Sequence, residues 1–187
     1  MTSEPDRLCC LLETALGGCG LAWSAAGIVG LSLPATTPAA TMRVLRQRIG
    51  PCRPAEPEAP VLAAIALLQR YFAGEPVELD TLAVDLAGVS DQRLRIYAAT
   101  RAIGWGRTTT YGELARTIGE PGAAQAVGQA MAQNPVPVII PCHRVLASGA
   151  RLGGFSAPGG TVTKERLLVL EAAQPDRGQL LLPLARA

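Results

Sequence analysis

Thr109-Thr110-Tyr111-Gly112-Glu113-Leu114-Ala115-Arg116-Thr117-Ile118, then Gly119-Glu120-Pro121-Gly122, then Ala123-Ala124-Gln125-Ala126-Val127-Gly128-Gln129-Ala130-Met131-Ala132-Gln133, decides how the second half of the chain folds. Thr110 followed three residues later by Glu113 is a capping box, in which each side chain satisfies a free N–H of a helix's first turn. A helix is therefore expected from here to about Ile118. The Gly/Pro tetrapeptide is a compact turn, and a second helix is expected over residues 123–133. Two short helices joined by a tight Gly-containing turn make a helix-turn-helix candidate. The second helix carries no charge and offers only Gln125, Gln129 and Gln133 as polar groups. Its small side chains suit equally a tightly packed core helix and a helix pressed against an external surface.

Directly downstream, Asn134-Pro135-Val136-Pro137-Val138-Ile139-Ile140-Pro141-Cys142-His143-Arg144-Val145 carries the chemistry. An apolar run delivers a Cys beside the only His of the chain. The prolines fix the backbone and block regular strand pairing through the stretch. A Cys is a nucleophile only as thiolate, with an unperturbed pKa of about 8.5, and a nearby His can take its proton directly or through water. Neighbouring residues on a strand point to opposite faces, so a productive Cys142–His143 relation needs a turn here or a bridging water. Taken alone, the dipeptide reads more simply as a buried structural Cys with a chance His neighbour.

Upstream, residues 91–103 have a helical pattern with Leu94, Tyr97, Ala98 and Arg101 in phase. In the first half, residues 21–23 and 28–33 flank a plausible hairpin turn at 24–27. A Pro/Glu-rich loop follows at 51–60, then a helix over 61–72 stopped by Gly74 and Pro76. Residues 77–86 read as extended chain or loop. No chemistry is visible in this half, which reads as a scaffold domain over residues 1–84.

The chain has 187 residues, 49% of them hydrophobic and 17% charged, so a packed core is expected and a disordered chain is excluded. No run of about 18 uninterrupted apolar residues occurs, so no spanning helix is expected. Glu4, Asp6 and Arg7 make a poor signal-peptide start, which points to a cytoplasmic protein. Residues 1–84 carry six Arg against eight acidic groups, while residues 85–187 carry eleven basic against seven acidic, so the second half better suits a polyanion. The five Cys are odd in number and read as reduced thiols. Cys9, Cys10 and Cys19 match no zinc spacing and read as small apolar core groups; one His cannot supply a two-His metal site. No metal or cofactor is expected.

Pro141-Cys142-His143-Arg144-Val145, with Asn134-Pro135-Val136-Pro137-Val138-Ile139-Ile140 before it, closely resembles the active-site signature of the O6-alkylguanine-DNA alkyltransferases, the methylated-DNA–protein-cysteine methyltransferases. The resemblance continues through Thr110-Tyr111-Gly112-Glu113-Leu114-Ala115, Ala126-Val127-Gly128, Leu152-Gly153-Gly154-Phe155-Ser156 and Lys164-Glu165-Arg166-Leu167-Leu168-Val169-Leu170-Glu171. Residues 20–33 and Tyr71-Phe72-Ala73-Gly74-Glu75 resemble the family's N-terminal domain more weakly. The fold implied is α/β (α+β): a small N-terminal sheet-plus-helix domain, then a helical domain with a winged helix-turn-helix over 85–173, then a tail at 174–187.

The resemblance implies single-turnover repair of double-stranded DNA containing O6-alkylguanine by a monomeric protein. The flipped base would enter a pocket and its alkyl group would move to a cysteine sulfur. Cys142 resembles the alkyl acceptor, His143 the base that takes its proton through water, and Glu171 the carboxylate that orients His143. Tyr111 resembles the phenol that donates to guanine N3, and Asn134 the brace of the active-site turn. Substrate contacts would come from the Cys142 and Val145 carbonyls, Ser156, Phe155 and Arg144. Thr110, Tyr111, Ala123, Gln125, Ala126, Gly128 and Gln129 would face DNA.

The departures lie on the recognition surface. Gln125 stands where the family usually places an Arg finger, Gln92 where an aromatic is usual, and Phe155 where a Tyr is common. Ala157-Pro158 resembles a two-residue insertion, and Gly104-Trp105-Gly106-Arg107 replaces Pro-Tyr-Gly-Glu. Two alternatives follow: the same Cys142 chemistry on a small-molecule alkyl donor, favoured by Gln125 and the uncharged helix, or a non-reactive DNA-lesion binding module, disfavoured by the presence of Cys142.

Overall fold

The computed structural model describes residues 7–172; the expectations for the 174–187 tail lie outside them. Strands β1 (Leu8–Thr14), β2 (Gly17–Ser24) and β3 (Gly27–Ser32) form an antiparallel meander, and the short β4 (Arg53–Pro54) adds in parallel beyond β1, giving the order β3-β2-β1-β4. The hairpin between Ser24 and Gly27 is the one the turn residues predict. The strand before it, β1, had no sequence expectation.

Helix α1 (Pro38–Ile49) also falls in a stretch to which sequence periodicity assigned nothing. Its start is nevertheless written locally: the Thr37 hydroxyl accepts from the Ala40 N–H, and Pro38 pre-sets the first helical φ. It packs against the sheet through Leu45 and Ile49 onto Cys9, Ala22 and Val29. Gly30 permits this approach, because a Cβ there would lie 2.7 Å from Ile49 Cγ2 and 2.9 Å from Leu45 Cδ1.

The opposite face of the sheet meets α2 (Ala59–Phe72) and the second half of the chain. One apolar cluster runs from Leu12, Cys19 and Leu21 through Leu68, Tyr71 and Phe72 to Leu114, Val127, Ile140 and Leu167. Cys9 and Cys19 therefore point into different clusters, so the N-terminal thiols do not converge. The free edge of β3 is covered: Leu31 N–H donates to Pro135 O (2.9 Å) and Ile28 N–H to Ala83 O (3.0 Å).

In the second half, α3 (Asp91–Arg101) supports α4 (Tyr111–Thr117) and α5 (Ala124–Ala132). The capping box at α4 is complete, with Thr110 accepting from the Glu113 N–H and Glu113 accepting from the Thr110 N–H. The turn between α4 and α5 makes the expected helix-turn-helix pair. Strands β5 (Thr109–Thr110) and β6 (Val145–Leu146) pair in parallel, tying the start of α4 to the chain just past Cys142. Helix α6 (Gly160–Leu170) closes the described fold. Among the described residues the architecture is mixed α/β: a small four-stranded sheet and the β5-β6 pair with six α-helices.

The uncharged helix α5 packs one face into the core and leaves the other open. Val127, Ala130 and Met131 are buried, and the Ala130 carbonyl accepts from the buried Tyr97 hydroxyl (3.0 Å), while Gln125 and Gln129 are exposed.

Candidate active site

Asn134 sets the approach to the site. Fully buried, its side-chain amide donates to Ile140 O (2.7 Å) while its Oδ1 accepts from the Val136 N–H (3.0 Å). These bonds close residues 134–140 into a compact turn. Val138, a β-branched residue, is held there at φ +77, a strained conformation that only such cross-bracing sustains. The chain then enters one turn of 3-10 helix, Cys142–Arg144. Cys142 and His143 thus lie on a tight turn and not on opposite faces of a strand.

Behind the turn, Glu171 at the C-terminal end of α6 is the hub of a buried network. Only 1% exposed, it is no solvated helix-end carboxylate. Its Oε1 accepts from the Tyr71 hydroxyl (2.5 Å), from Nε2 of His143 (2.8 Å) and from Arg144 (2.9 Å), and its Oε2 accepts from Arg144 Nε (2.9 Å). Burial alone would raise the Glu171 pKa, but hydrogen bonds and charge from His143 and Arg144 outweigh it and hold the carboxyl at about 2. Burial lowers the His143 pKa despite Glu171, so the imidazole is neutral at pH 7. An ionised Glu171 accepts from Nε2–H, which leaves the lone pair on Nδ1, the buried nitrogen with no partner among the described residues.

Cys142 is 5% exposed and opens into a cavity of about 450 Å³ lined by Tyr111, Gly128, Met131, Ala132, Gly154, Phe155 and Ser156. Burial raises its thiol pKa, countered by a hydrogen bond with Asn134 and the charges of Lys164 and Arg48. Burial and the nearby Cys142 likewise raise Tyr111, so the phenol stays a donor. Gly153, at φ +66, lets the loop pass Tyr111 closely: a Cβ there would sit 3.2 Å from the phenol oxygen. On the outer side of α5, an open groove is lined by Gln92, Glu120, Ala123, Gln125, Ala126 and Gln129. Helix α5 therefore separates the thiol's cavity from an exposed polar groove.

Not every expected contact takes its expected place. Arg144 does not line the Cys142 cavity; its guanidinium is spent on Glu171 and on the Ile103 carbonyl. The Val145 carbonyl already accepts from Lys164 Nζ (2.6 Å), and Val145 too is absent from the cavity wall. Thr110 is occupied as a helix cap.

The first half is not chemically silent, as its sequence suggested. Tyr71 of α2 reaches Glu171 and sits 3.2 Å from His143 Nε2. Arg48 of α1 donates to Asn134 O (2.6 Å) and to the carbonyl and hydroxyl of Ser156 (3.1 and 3.3 Å). The Tyr71-Phe72 resemblance was the only sequence signal for either; nothing local marks Arg48.

Comparison with known proteins places this geometry. Residues 91–173 match the family model described as 6-O-methylguanine DNA methyltransferase, DNA binding domain. The chain is 41% identical over 144 residues to a methylated-DNA–protein-cysteine methyltransferase of Mycolicibacterium paratuberculosis, covering 75% of this chain and 85% of that one. The chain belongs to the methylated-DNA–protein-cysteine methyltransferase family. A methyltransferase of the same name from Sulfolobus acidocaldarius is 46% identical over 101 residues, 54% of this chain and 61% of that one. The fold superposes on Mycobacterium tuberculosis OGT, crystallised in complex with DNA, with a TM-score of 0.71 at 34% identity, covering 91% of this chain and 96% of that one. The Pyrococcus kodakaraensis O6-methylguanine-DNA methyltransferase shares the fold at 20% identity, with a TM-score of 0.67 and coverage of 88% and 98%.

Proposed function

We propose that this methyltransferase repairs double-stranded DNA by moving the alkyl group of O6-alkylguanine to Cys142, once per molecule. The observation that carries this reading is the position of the Cys142 thiol. It opens into a cavity bounded by α5 and the Gly154–Ser156 loop, with the His143–Glu171 pair directly behind. An alkylated O6 is unreachable in a stacked duplex, so the base must be extruded into that cavity.

Burial keeps Cys142 protonated at neutral pH, so the reaction needs a base. His143 fills that role with its Nδ1 lone pair, taking the proton directly or through water, and Glu171 fixes the tautomer that makes Nδ1 basic. The thiolate then attacks the alkyl carbon. A carbon–sulfur bond forms as the carbon–O6 bond breaks, and the electron pair stays on guanine. Tyr111 donates a hydrogen bond that stabilises this leaving anion. The thioether product is inert to water, so the protein is consumed. The reaction draws on protein groups alone.

Residues 1–84 act as the scaffold domain that lends Arg48 and Tyr71, and residues 85–173 as the DNA-binding and reacting domain. Gln125 and Gln129, with Ala123 and Ala126, face the duplex from the outer groove, and Phe155 and Ser156 face the base. With every group on one chain the protein works as a monomer, and a reacting thiol suits the reducing cytoplasm.

The test is intact-mass and peptide mass spectrometry after mixing with a duplex containing O6-methylguanine. A gain of one methyl on the Cys142 peptide is expected, and none in Cys142→Ala, which still binds the duplex. Retained lesion with a gel shift would mark a lesion-binding module instead. Absence of both transfer and binding would direct attention to a small-molecule alkyl donor.

A further inference from the structure

The first half carries a second pair of thiols that the alkyl-transfer chemistry does not use. Cys9 lies on β1, and Cys52 lies just beyond α1. Strand β4 runs parallel to β1 with Cys9 opposite Pro54, clamped by Arg53 N–H to Arg7 O (2.8 Å) and Ala55 N–H to Cys9 O (3.0 Å). Cys52, two residues before Pro54, packs against the apolar cluster of Cys9, Ala22, Val29, Leu45 and Ile49, so the two thiols share one small cluster. Cys9 is buried and Cys52 half-buried. The guanidinium of Arg46 stands 4.0 Å from the Cys9 sulfur. Cys10 and Cys19 pack into the other cluster, and Cys142 lies in the substrate cavity.

We propose that Cys9 and Cys52 form a redox pair that closes to an intramolecular disulfide when a hydroperoxide oxidises the folded protein, ahead of the other three cysteines. Cys52, the more accessible sulfur, attacks first. A sulfur–oxygen bond forms as the peroxide O–O bond breaks, giving Cys52 sulfenic acid and an alcohol or water. The Cys9 sulfur then attacks the Cys52 sulfur; the S–S bond forms, and hydroxide leaves and takes the Cys9 proton as water. Two thiols supply the two electrons that reduce one peroxide, and a reducing dithiol reverses the process. Burial holds the Cys9 thiol up at about 11, with Cys52 adding to the rise, and the Arg46 cation favours its deprotonation as it attacks.

The bond would tie β1 to the chain beyond α1. That helix carries Arg48, which holds the Asn134 carbonyl and the Ser156 loop. Closing the pair thus pins the helix that braces the reacting site, and it removes freedom from the unfolded chain.

The experiment treats the full-length folded protein with one equivalent of hydrogen peroxide, caps remaining thiols with iodoacetamide, and maps peptides without reduction. The expected result is a loss of two hydrogens, three capped cysteines, and a Cys9–Cys52 cross-linked peptide that dithiothreitol releases. The melting temperature of the oxidised form should rise by a few degrees. Cys10→Ser should leave the link unchanged and so assign it to Cys9. Cys52→Ser, at a half-buried position, should retain its circular dichroism spectrum and lose both the link and the rise. A link to Cys10 or Cys19, oxidation of Cys142 before the pair, or a link formed only in guanidinium would overturn the proposal.

Discussion

The Tyr71 hydroxyl lies 2.5 Å from Oε1 of Glu171, a hundred residues further along the chain, and 3.2 Å from the imidazole that shares that oxygen. An N-terminal helix thus ends on the same carboxylate that fixes the His143 tautomer. Trp105 packs edge-on against the Tyr71 ring, centroids 5.3 Å apart, so the phenol is held from the side as well.

Replacing Tyr71 by Phe tests how far this support matters. A hydrogen bond to a charged group contributes about 1.5–3 kcal/mol, and Glu171 keeps Arg144 and His143, so a loss near the lower end is expected in urea unfolding. Single-turnover alkyl transfer should slow about tenfold, because the carboxylate loses one of the groups that fix its position. Full stability with an unchanged rate would show the phenol to be mere filling.

Acid sensitivity follows from the same hub. The His143 pKa lies below its ordinary 6.5, so the unfolded chain takes up this proton first and stability falls as pH drops below that value. The Glu171 pKa, about 2 against 4.5, adds a second loss as pH falls from about 4.5 towards 2, worth about 3 kcal/mol when complete. Urea midpoints measured from pH 7 to pH 3 should therefore decline in two stages. Glu171→Gln should remove the lower one while lowering stability at pH 7, since Arg144 loses its counter-charge. A flat profile down to pH 4 would contradict the neutral state assigned to His143.

What could be seen in the sequence was local. The capping box at Thr110–Glu113, the hairpin at Ser24–Gly27 and the Cys142-His143 pair each lie within a few residues, and each stands where the residue types put it. Arg48 and Tyr71 could not be found that way. Their partners Asn134 and Glu171 lie 86 and 100 residues away, and nothing in an Arg on a helix or a Tyr in an apolar run announces a distant acceptor. Arg144 misled for the complementary reason: beside the nucleophile in sequence, it turns backward on the 3-10 turn to meet Glu171.

Gln125 is exposed on the outer groove of α5, a surface that also holds Glu120, whose carboxylate is engaged by Arg95 and Gln92. On the function proposed above, an Arg placed there would face duplex phosphates or the gap left by an extruded base. Gln125→Arg should tighten DNA binding by about 1 kcal/mol or less, and steepen the salt dependence of log K by about one unit. Fluorescence anisotropy at two or more salt concentrations reads both. No gain at low salt would show that this position does not meet the nucleic acid.

Lys164 is a fully buried lysine whose Nζ donates to the Val145 carbonyl at 2.6 Å and stands 6.0 Å from the Tyr111 ring centre. Burial pulls its pKa down to about 8, offset in part by the negative charge Cys142 carries once ionised, so it is still mostly a cation at pH 7. Cys142 gains from that cation, which lowers its thiol pKa against the effect of burial. Lys164→Met keeps the length and removes the charge. Thiolate absorbance followed against pH should show Cys142 ionising at higher pH, and alkyl transfer at pH 7 should slow about tenfold for each unit of that shift. Val145 O loses its partner, so stability should change by no more than about 1–3 kcal/mol, with the relief of a buried charge acting in opposition. An unmoved thiol titration with slower transfer would assign Lys164 to bracing the Val145 carbonyl and Tyr111 alone.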